Sequence, residues 1–260
     1  MWDYFNKAYI ITIPTSDKTR IINHLDEIEL TNYEIKVFKP AKRLINDDGG
    51  CKTLWEIMNH TNQPCSETGL NLTNNHITII RECFELENLD RIIIMEDDFI
   101  FDMDLLKHKL KHFTTWLETH SWDIFYFGQC PWPVPIAYNV SKYIIRSFYP
   151  LLAHCYAINR SGMKKILEWY NPGMKCHADT LLLKSPTIKY SSFPSICHQV
   201  TDPALFKLGM DKLKTPLSCR QCIYLLEILS VLLPILIIII IIRFVYKYLF
   251  KKKKMINKNY

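Results

Sequence analysis

An apolar segment close to the C-terminus places the strongest constraint on how this chain can fold. Residues 228–242 contain no charged side chain and end in six consecutive isoleucines at positions 237–242. A helix of this length spans only about 22 Å, but its apolar flanks lengthen it enough to cross a hydrocarbon core of roughly 30 Å. A buried core helix is the alternative. Because six isoleucines in a row offer water no polar face, we expect a transmembrane helix.

The apolar segment divides the 260-residue chain into three parts. Residues 1–215 are long enough for one sizeable domain, residues 216–246 would form the juxtamembrane and transmembrane anchor, and residues 247–260 are a basic tail. Up to Cys222 the chain has 25 basic and 25 acidic side chains, so its excess positive charge lies beside and after the anchor. This distribution favours contact with anionic lipid headgroups and does not favour nucleic acid as a partner.

The expected localisation is that of a single-pass membrane protein anchored at its C-terminus, in an endoplasmic-reticulum-type or a viral or host membrane. Basic residues after the anchor favour a cytosolic C-terminus and a lumenal domain. However, residues 2–7 are polar and acidic, so we predict no signal peptide and a domain that faces the cytosol. The chain also has four N-glycosylation sequons, and glycans on them would indicate the opposite side: Asn59, Asn71, Asn139 and Asn159.

Strand and helix patterns alternate along the first 215 residues and predict an α/β layered sheet. Short apolar runs predict strands at residues 8–13, 34–38, 91–95, 123–127 and 151–158. Helical periodicity predicts helices at residues 20–30, 75–86, 105–118 and 161–170. The strand at residues 91–95 is continuously apolar, so we expect both of its faces to be buried.

Three consecutive carboxylates follow that buried strand: Glu96, Asp97 and Asp98. Ligands of open α/β sheets bind outside the carboxyl ends of strands, and adjacent carboxylates repel one another unless a cation compensates their charge. Oxygen ligands suit hard divalent cations such as Mg²⁺ and Mn²⁺, which also bridge phosphates. The run therefore predicts a metal site, with a solvated turn or an acidic helix N-terminus as the alternative.

Seven blocks of this chain, in the same order, resemble those of glycosyltransferase family 25, the group that includes lipopolysaccharide and collagen galactosyltransferases. The blocks are Tyr9–Ile13 followed by Arg20, Val37–Ala41, Asn75-His76 before Arg81-Glu82, Ile92–Phe99, Trp122–Gly128, His154–Arg160, and Asp179 within residues 177–181. The chain departs from the family where Asn71-Leu72 replaces its Gly-Cys pair and Asn75 replaces its serine. Its abundant Asn, Ile and Lys and its basic tail are compatible with a viral member.

The resemblance implies a nucleotide-binding fold of the GT-A type, with a mixed and mostly parallel sheet. It further implies a metal-dependent, inverting hexosyltransferase that moves galactose or a similar sugar from a UDP-sugar to a hydroxyl group. The cofactor would be Mn²⁺ or Mg²⁺, and the acceptor would be a glycan, a protein or a lipid. Because the Asn71–Asn75 stretch departs from the family, the alternative is a catalytically inactive membrane protein that keeps the fold and serves as an interaction or structural component.

The resemblance also implies roles for individual residues. Asp98 is the first candidate for the metal, and the further candidates are Glu96, Asp97 and His198. The nucleotide-sugar donor would contact Arg20, Asn75, His76, Glu96 and Asp97. Asp179 is the candidate general base and His177 the second candidate. For two of these positions a structural role is the alternative: a helix N-cap for Asp179 and a loop histidine for His198. His154, on a buried strand, is interpreted as a core histidine.

Overall fold

The computed structural model describes residues 2–38, 67–129, 137–147, 150, 153–171, 174, 176–199, 239–240, 242–244 and 246–247. The strands up to residue 199 are β1 (Lys7–Thr12), β2 (Tyr33–Val37), β3 (Arg91–Glu96), β4 (Phe99–Phe101), β5 (Ile124–Tyr126), β6 (Ala137–Ser141), β7 (Ile144–Ser147), β8 (Cys155–Asn159), β9 (Lys189–Ser192) and β10 (Cys197–Gln199). The helices are α1 (Lys18–Glu27), α2 (Glu67–Glu85), α3 (Met103–Thr119), α4 (Arg160–Trp169) and α5 (Ala178–Lys184).

Eight of these strands form one mixed sheet in the order β2-β1-β3-β8-β5-β9-β7-β6. Three neighbouring pairs, β1/β2, β1/β3 and β5/β9, are parallel, and the other four pairs are antiparallel. Strands β4 and β10 form a separate antiparallel pair. The predicted α/β architecture with a mixed sheet is confirmed, but the expectation of a mostly parallel sheet is wrong, because four of the seven neighbouring pairs are antiparallel.

Helices cover both faces of the sheet, which explains the continuous apolar runs of its central strands. In β3, Ile93 and Met95 pack on the face covered by α1 and α3, whereas Ile92 and Ile94 pack on the face covered by α2, α4 and α5. All four side chains are fully buried, and each contributes about 1.5–3 kcal/mol through the hydrophobic effect. This two-sided core fixes the position at which β3 ends, and therefore the position of the acidic run.

Side-chain caps explain where three of the helices begin. The carboxylate of Asp17 accepts the backbone N–H of Arg20 at the start of α1, and that of Asp102 accepts the N–H of Leu105 in α3. At α4 the side chain of Asn159 accepts the N–H of Gly162. Each cap satisfies a backbone donor that the helix itself leaves free, and it stabilises the fold by about 1 kcal/mol.

The predicted transmembrane helix needs correction. Within the described ranges, no helix has both the length and the apolar character that crossing a bilayer requires. The positions described between residues 239 and 247 are helical and exposed. Most of residues 216–246, and residues 248–260, lie outside the described ranges. The fold class is therefore a mixed α/β fold to which no membrane helix is assigned.

Candidate active site

The parallel pairing of β1 with β3 places two polar loops side by side at the carboxyl ends of these strands. Ile11 pairs with Glu96, so the residues that follow, Thr12 and Asp97, are neighbours. The hydroxyl of Thr12 donates to Asp97 Oδ2 over 3.0 Å, and the hydroxyl of Ser16 donates to the same oxygen. The carboxylate of Asp97 thus ties the loop after β1 to the acidic run. The sequence alone did not predict the contribution of Thr12 and Ser16.

Arg20, in the first turn of α1, also contacts the acidic run. Its guanidinium donates to the backbone carbonyl of Asp97 and, over 3.4 Å, to that of Phe99. Burial lowers the pKa of Arg20, and the charges of Asp97 and Asp98 act in the opposite direction. Arg20 therefore brings a positive charge to the site and also fixes the turn between β3 and β4.

Asp98 is the carboxylate of the run with an unsatisfied oxygen. Its Oδ1 is buried and has no hydrogen-bond partner among the residues that the structure describes. Burial, followed by the negative charge of Glu96, raises the pKa of Asp98 to about 7. A buried carboxylate oxygen without a partner costs free energy, and a bound cation would remove that cost.

Glu96 is held by a histidine from the helix α2. His76 is completely buried, its Nε2 lies 3.3 Å from Glu96 Oε1, and its Nδ1 lies 3.0 Å from the hydroxyl of Tyr156. The imidazole also stacks on the Tyr156 ring, with 5.7 Å between centroids and 19° between planes. The structure therefore brings the predicted donor residues Glu96 and His76 together. Asn75, the neighbour of His76 in α2, is half-buried.

His154, which the sequence left as a candidate core histidine, is buried directly beside the carboxylates. Its backbone carbonyl accepts the N–H of Glu96 over 2.8 Å, and its Nε2 lies 3.4 Å from the carbonyl oxygen of Cys197. Burial alone would lower the pKa of His154. The hydrogen bond and charge of Cys197, together with the charges of Asp98 and Glu96, outweigh it and raise that pKa to about 9.

Asp179, the predicted general base, is the second residue of α5 and does not cap that helix. The N-cap is His177, which makes no side-chain cap hydrogen bond, whereas the carboxylate of Asp179 accepts the backbone N–H of Ala153. Burial and then the charge of Glu96 raise the pKa of Asp179. A carboxylate with a raised pKa beside the acidic run has the protonation behaviour that a general base needs.

The predicted metal ligands do not form a protein cage. Within the described part of the chain, no group of three or more His, Cys, Asp or Glu side chains is arranged to hold a metal ion. His198 lies in β10, where it pairs with Ile100 of β4. Magnesium-type ions are commonly bound by one or two carboxylates together with substrate phosphates. The unpartnered oxygen of Asp98 fits that mode of binding.

Gly128 follows β5 at a point where the backbone passes very close to the site. A Cβ atom there would lie 2.1 Å from the carbonyl oxygen of Cys197 and 2.7 Å from His154 Nε2. We expect Gly128→Ala to lower the free energy of unfolding by about 2–3 kcal/mol, because β10 would have to move. Urea denaturation measures this loss. A variant as stable as the wild type would show that the close approach is not required.

Comparisons with known proteins give only distant structural matches. No protein-family model matches the chain, and no curated protein matches it. Among solved structures, A197 from STIV is 12% identical with a TM-score of 0.42, and the match covers 75% of this chain and 86% of that one. A glycosyltransferase involved in the glycosylation of the major capsid of PBCV-1 is 9% identical with a TM-score of 0.32, covering 60% and 62%.

A protein from Bacillus anthracis described as a glucose-1-phosphate thymidylyltransferase, solved with sucrose, is 11% identical with a TM-score of 0.34, covering 76% of this chain and 73% of that one. Scores and identities at this level carry no argument about activity. They carry none about the fold family of this chain either, and membership of family 25 is not confirmed.

Proposed function

We propose that this chain is a metal-dependent, inverting glycosyltransferase that moves a sugar from a UDP-sugar to a hydroxyl acceptor. The observation that carries the proposal is the buried, unpartnered oxygen of Asp98 at the carboxyl end of the central strand β3. Arg20 and Asp179 lie around the same strand end, where α/β folds bind their ligands. Galactose or a similar hexose is the proposed sugar, and a glycan, protein or lipid hydroxyl is the proposed acceptor.

The difficult step of such a transfer is the departure of a nucleoside diphosphate. A divalent cation, Mn²⁺ or Mg²⁺, would neutralise the charge that develops on this leaving group. Asp98 would hold the cation, because its free oxygen offers a hard ligand in a buried position. Arg20 keeps the turn that carries Asp98 in place through its bonds to two backbone carbonyls.

Inversion at the anomeric carbon requires one base to take the proton of the acceptor hydroxyl as it attacks. Asp179 is proposed for this role. Its bond to the Ala153 N–H fixes one carboxylate oxygen, and the raised pKa makes the group a better proton acceptor than an ordinary aspartate. His177 precedes it at the N-cap of α5 and remains the second candidate.

Release of UDP from UDP-sugars by the full chain, with Mn²⁺ or with EDTA, tests the proposal. We expect slow hydrolysis of at least one UDP-hexose with Mn²⁺, none with EDTA, and a higher melting temperature when UDP and Mn²⁺ are added together. ADP with Mn²⁺ is the control for non-specific nucleotide effects. If neither turnover nor a UDP-specific shift occurs, the chain is not a UDP-dependent transferase.

One observation favours a second candidate, a catalytically inactive glycosyltransferase-fold protein that serves as an interaction or structural component. Both Asp97 and Glu96 already have hydrogen-bond partners within the protein. This candidate predicts a stable fold whose melting temperature does not respond to UDP and Mn²⁺.

A further inference from the structure

A buried chain of hydrogen bonds runs beneath the acidic run and joins three elements that are distant in sequence. It passes from the hydroxyl of Tyr156 in β8 to His76 in α2 and then to Glu96 at the end of β3. Tyr156 and His76 are both fully buried. Sequence analysis assigned no role to Tyr156 and expected His76 to contact the donor directly.

The partners of His76 determine how its protons are arranged. With Glu96 ionised and His76 neutral, the carboxylate can only accept, so the arrangement that satisfies both contacts of His76 has its proton on Nε2, 3.3 Å from Glu96 Oε1. In a neutral imidazole the other nitrogen is then an acceptor, and the hydroxyl of Tyr156 donates to His76 Nδ1. Tyr156 thereby selects the tautomer of His76 that can hold Glu96.

Burying an imidazole and a tyrosine hydroxyl costs more free energy than burying apolar side chains. An imidazole buried without partners would cost several kcal/mol, and both of its nitrogens are satisfied here. Stacking on Tyr156 also fixes the plane of the ring. The result is a carboxylate whose position at the strand end is set before any ligand arrives, which lowers the entropy that binding would cost.

We propose that Tyr156 and His76 are positioning residues that fix the carboxylate of Glu96 to accept a hydroxyl group of the donor. This inference rests on the proposed function, because it takes the donor to be a nucleotide sugar. Among the described residues, the hydrogen-bond partner of the Glu96 carboxylate is His76, bound at Oε1. A charge-assisted hydrogen bond from a ribose hydroxyl of the nucleotide to this carboxylate is stronger than one between neutral groups.

The neighbouring strand provides a matched control for Tyr156. Tyr126 of β5 pairs directly with Tyr156 of β8, their rings are 6.2 Å apart, and both are buried. The hydroxyl of Tyr126 has no hydrogen-bond partner within the described ranges. Tyr156→Phe and Tyr126→Phe therefore each delete a buried hydroxyl from paired positions on neighbouring strands, and only the first deletes a contact of His76.

Calorimetric binding of UDP with Mn²⁺ to the full-length variants tests the proposal. We expect Tyr156→Phe to weaken binding about tenfold, the scale seen when a group that orients a ligand-binding residue is removed, and Tyr126→Phe to change it less than twofold. With a UDP-sugar, Tyr156→Phe should raise KM more than it lowers kcat. His76→Gln, which keeps a donor for Glu96, should retain more binding than His76→Leu. Equal losses in the two tyrosine variants would overturn the proposal.

A second measurement separates failure of this inference from failure of the proposed function. Nitrogen-15 NMR of the histidine rings in the nucleotide-free protein should show His76 as the Nε2–H tautomer in the wild type and in Tyr126→Phe, and a changed signal in Tyr156→Phe. If the spectra are as expected but UDP does not bind, the hydrogen-bond chain is supported and the nucleotide-sugar donor is rejected. A wild-type His76 protonated on Nδ1 alone would reject the chain itself.

Discussion

Replacing Asp179 with asparagine is expected to lower kcat by about 10²–10⁴-fold and to leave KM for the UDP-sugar almost unchanged. Asparagine cannot take a proton, and this range is what a positioned general base contributes. The amide oxygen can still accept the N–H of Ala153, so the fold should be retained. Initial rates with a saturating acceptor and varied UDP-sugar measure both constants.

Asp104 offers a matched control for Asp179. Both are the second residue of a helix, Asp104 in α3 and Asp179 in α5, but Asp104 is exposed. Asp104→Asn should leave the rate unchanged. Because the pKa of Asp179 is raised, the wild-type rate should fall with decreasing pH at a pH above the ordinary aspartate range. An Asp179→Asn variant with a wild-type rate would assign the base to another group, and His177 would be tested next.

Replacing Asp98 with asparagine is expected to reduce transfer by about 10²–10³-fold and to abolish the Mn²⁺-dependent gain in UDP affinity. The reason is loss of the charged oxygen that would hold the cation against the diphosphate. Calorimetry with and without Mn²⁺ measures the affinity. Asp90→Asn, at an exposed position just before the other end of β3, is the control. Mn²⁺-dependent UDP binding that survives in Asp98→Asn would remove Asp98 from the metal site.

The same Asp98 variant should gain stability at alkaline pH, which distinguishes loss of function from loss of folding. The pKa of Asp98 is about 7 in the folded chain and about 3.9 in an unfolded one, so the folded state holds this proton more tightly. The stability that the protonated Asp98 side chain contributes is complete below about pH 4 and is lost as the pH rises through 7. In EDTA, Asp98→Asn should melt above the wild type at pH 8 and close to it at pH 4.5.

Local sequence pattern was sufficient for the elements closest to the site. The apolar run before Glu96 predicted β3, its burial on both faces and the position of the carboxylates. The periodicity after Asn75 predicted the C-terminal part of α2 but not its start at Glu67. Apolarity also predicted a membrane helix, and the described ranges contain no helix that is long and apolar enough to cross a bilayer.

Contacts between distant segments could not be predicted in this way. Thr12 and Asp97 are 85 positions apart, and His76 and Tyr156 are 80 positions apart, so no local period connects them. Their meeting depends on strand order, in particular on the insertion of β8 between β3 and β5. The resemblance of sequence blocks indicated the acidic run, but it did not predict that Asp97 bonds to Thr12, that Glu96 contacts His76 and that Asp98 keeps one unpartnered oxygen.

The position of β8 has a consequence for synthesis of the chain on the ribosome. This strand is antiparallel to both neighbours and is the connection in the sheet between β2-β1-β3 and β5-β9-β7-β6. Until residues 155–159 emerge, β3 and β5 each present an open edge that can pair with other chains. A nascent chain that ends before β8 should therefore aggregate unless chaperones shield it, and it should become protease-resistant only after β8 has been inserted.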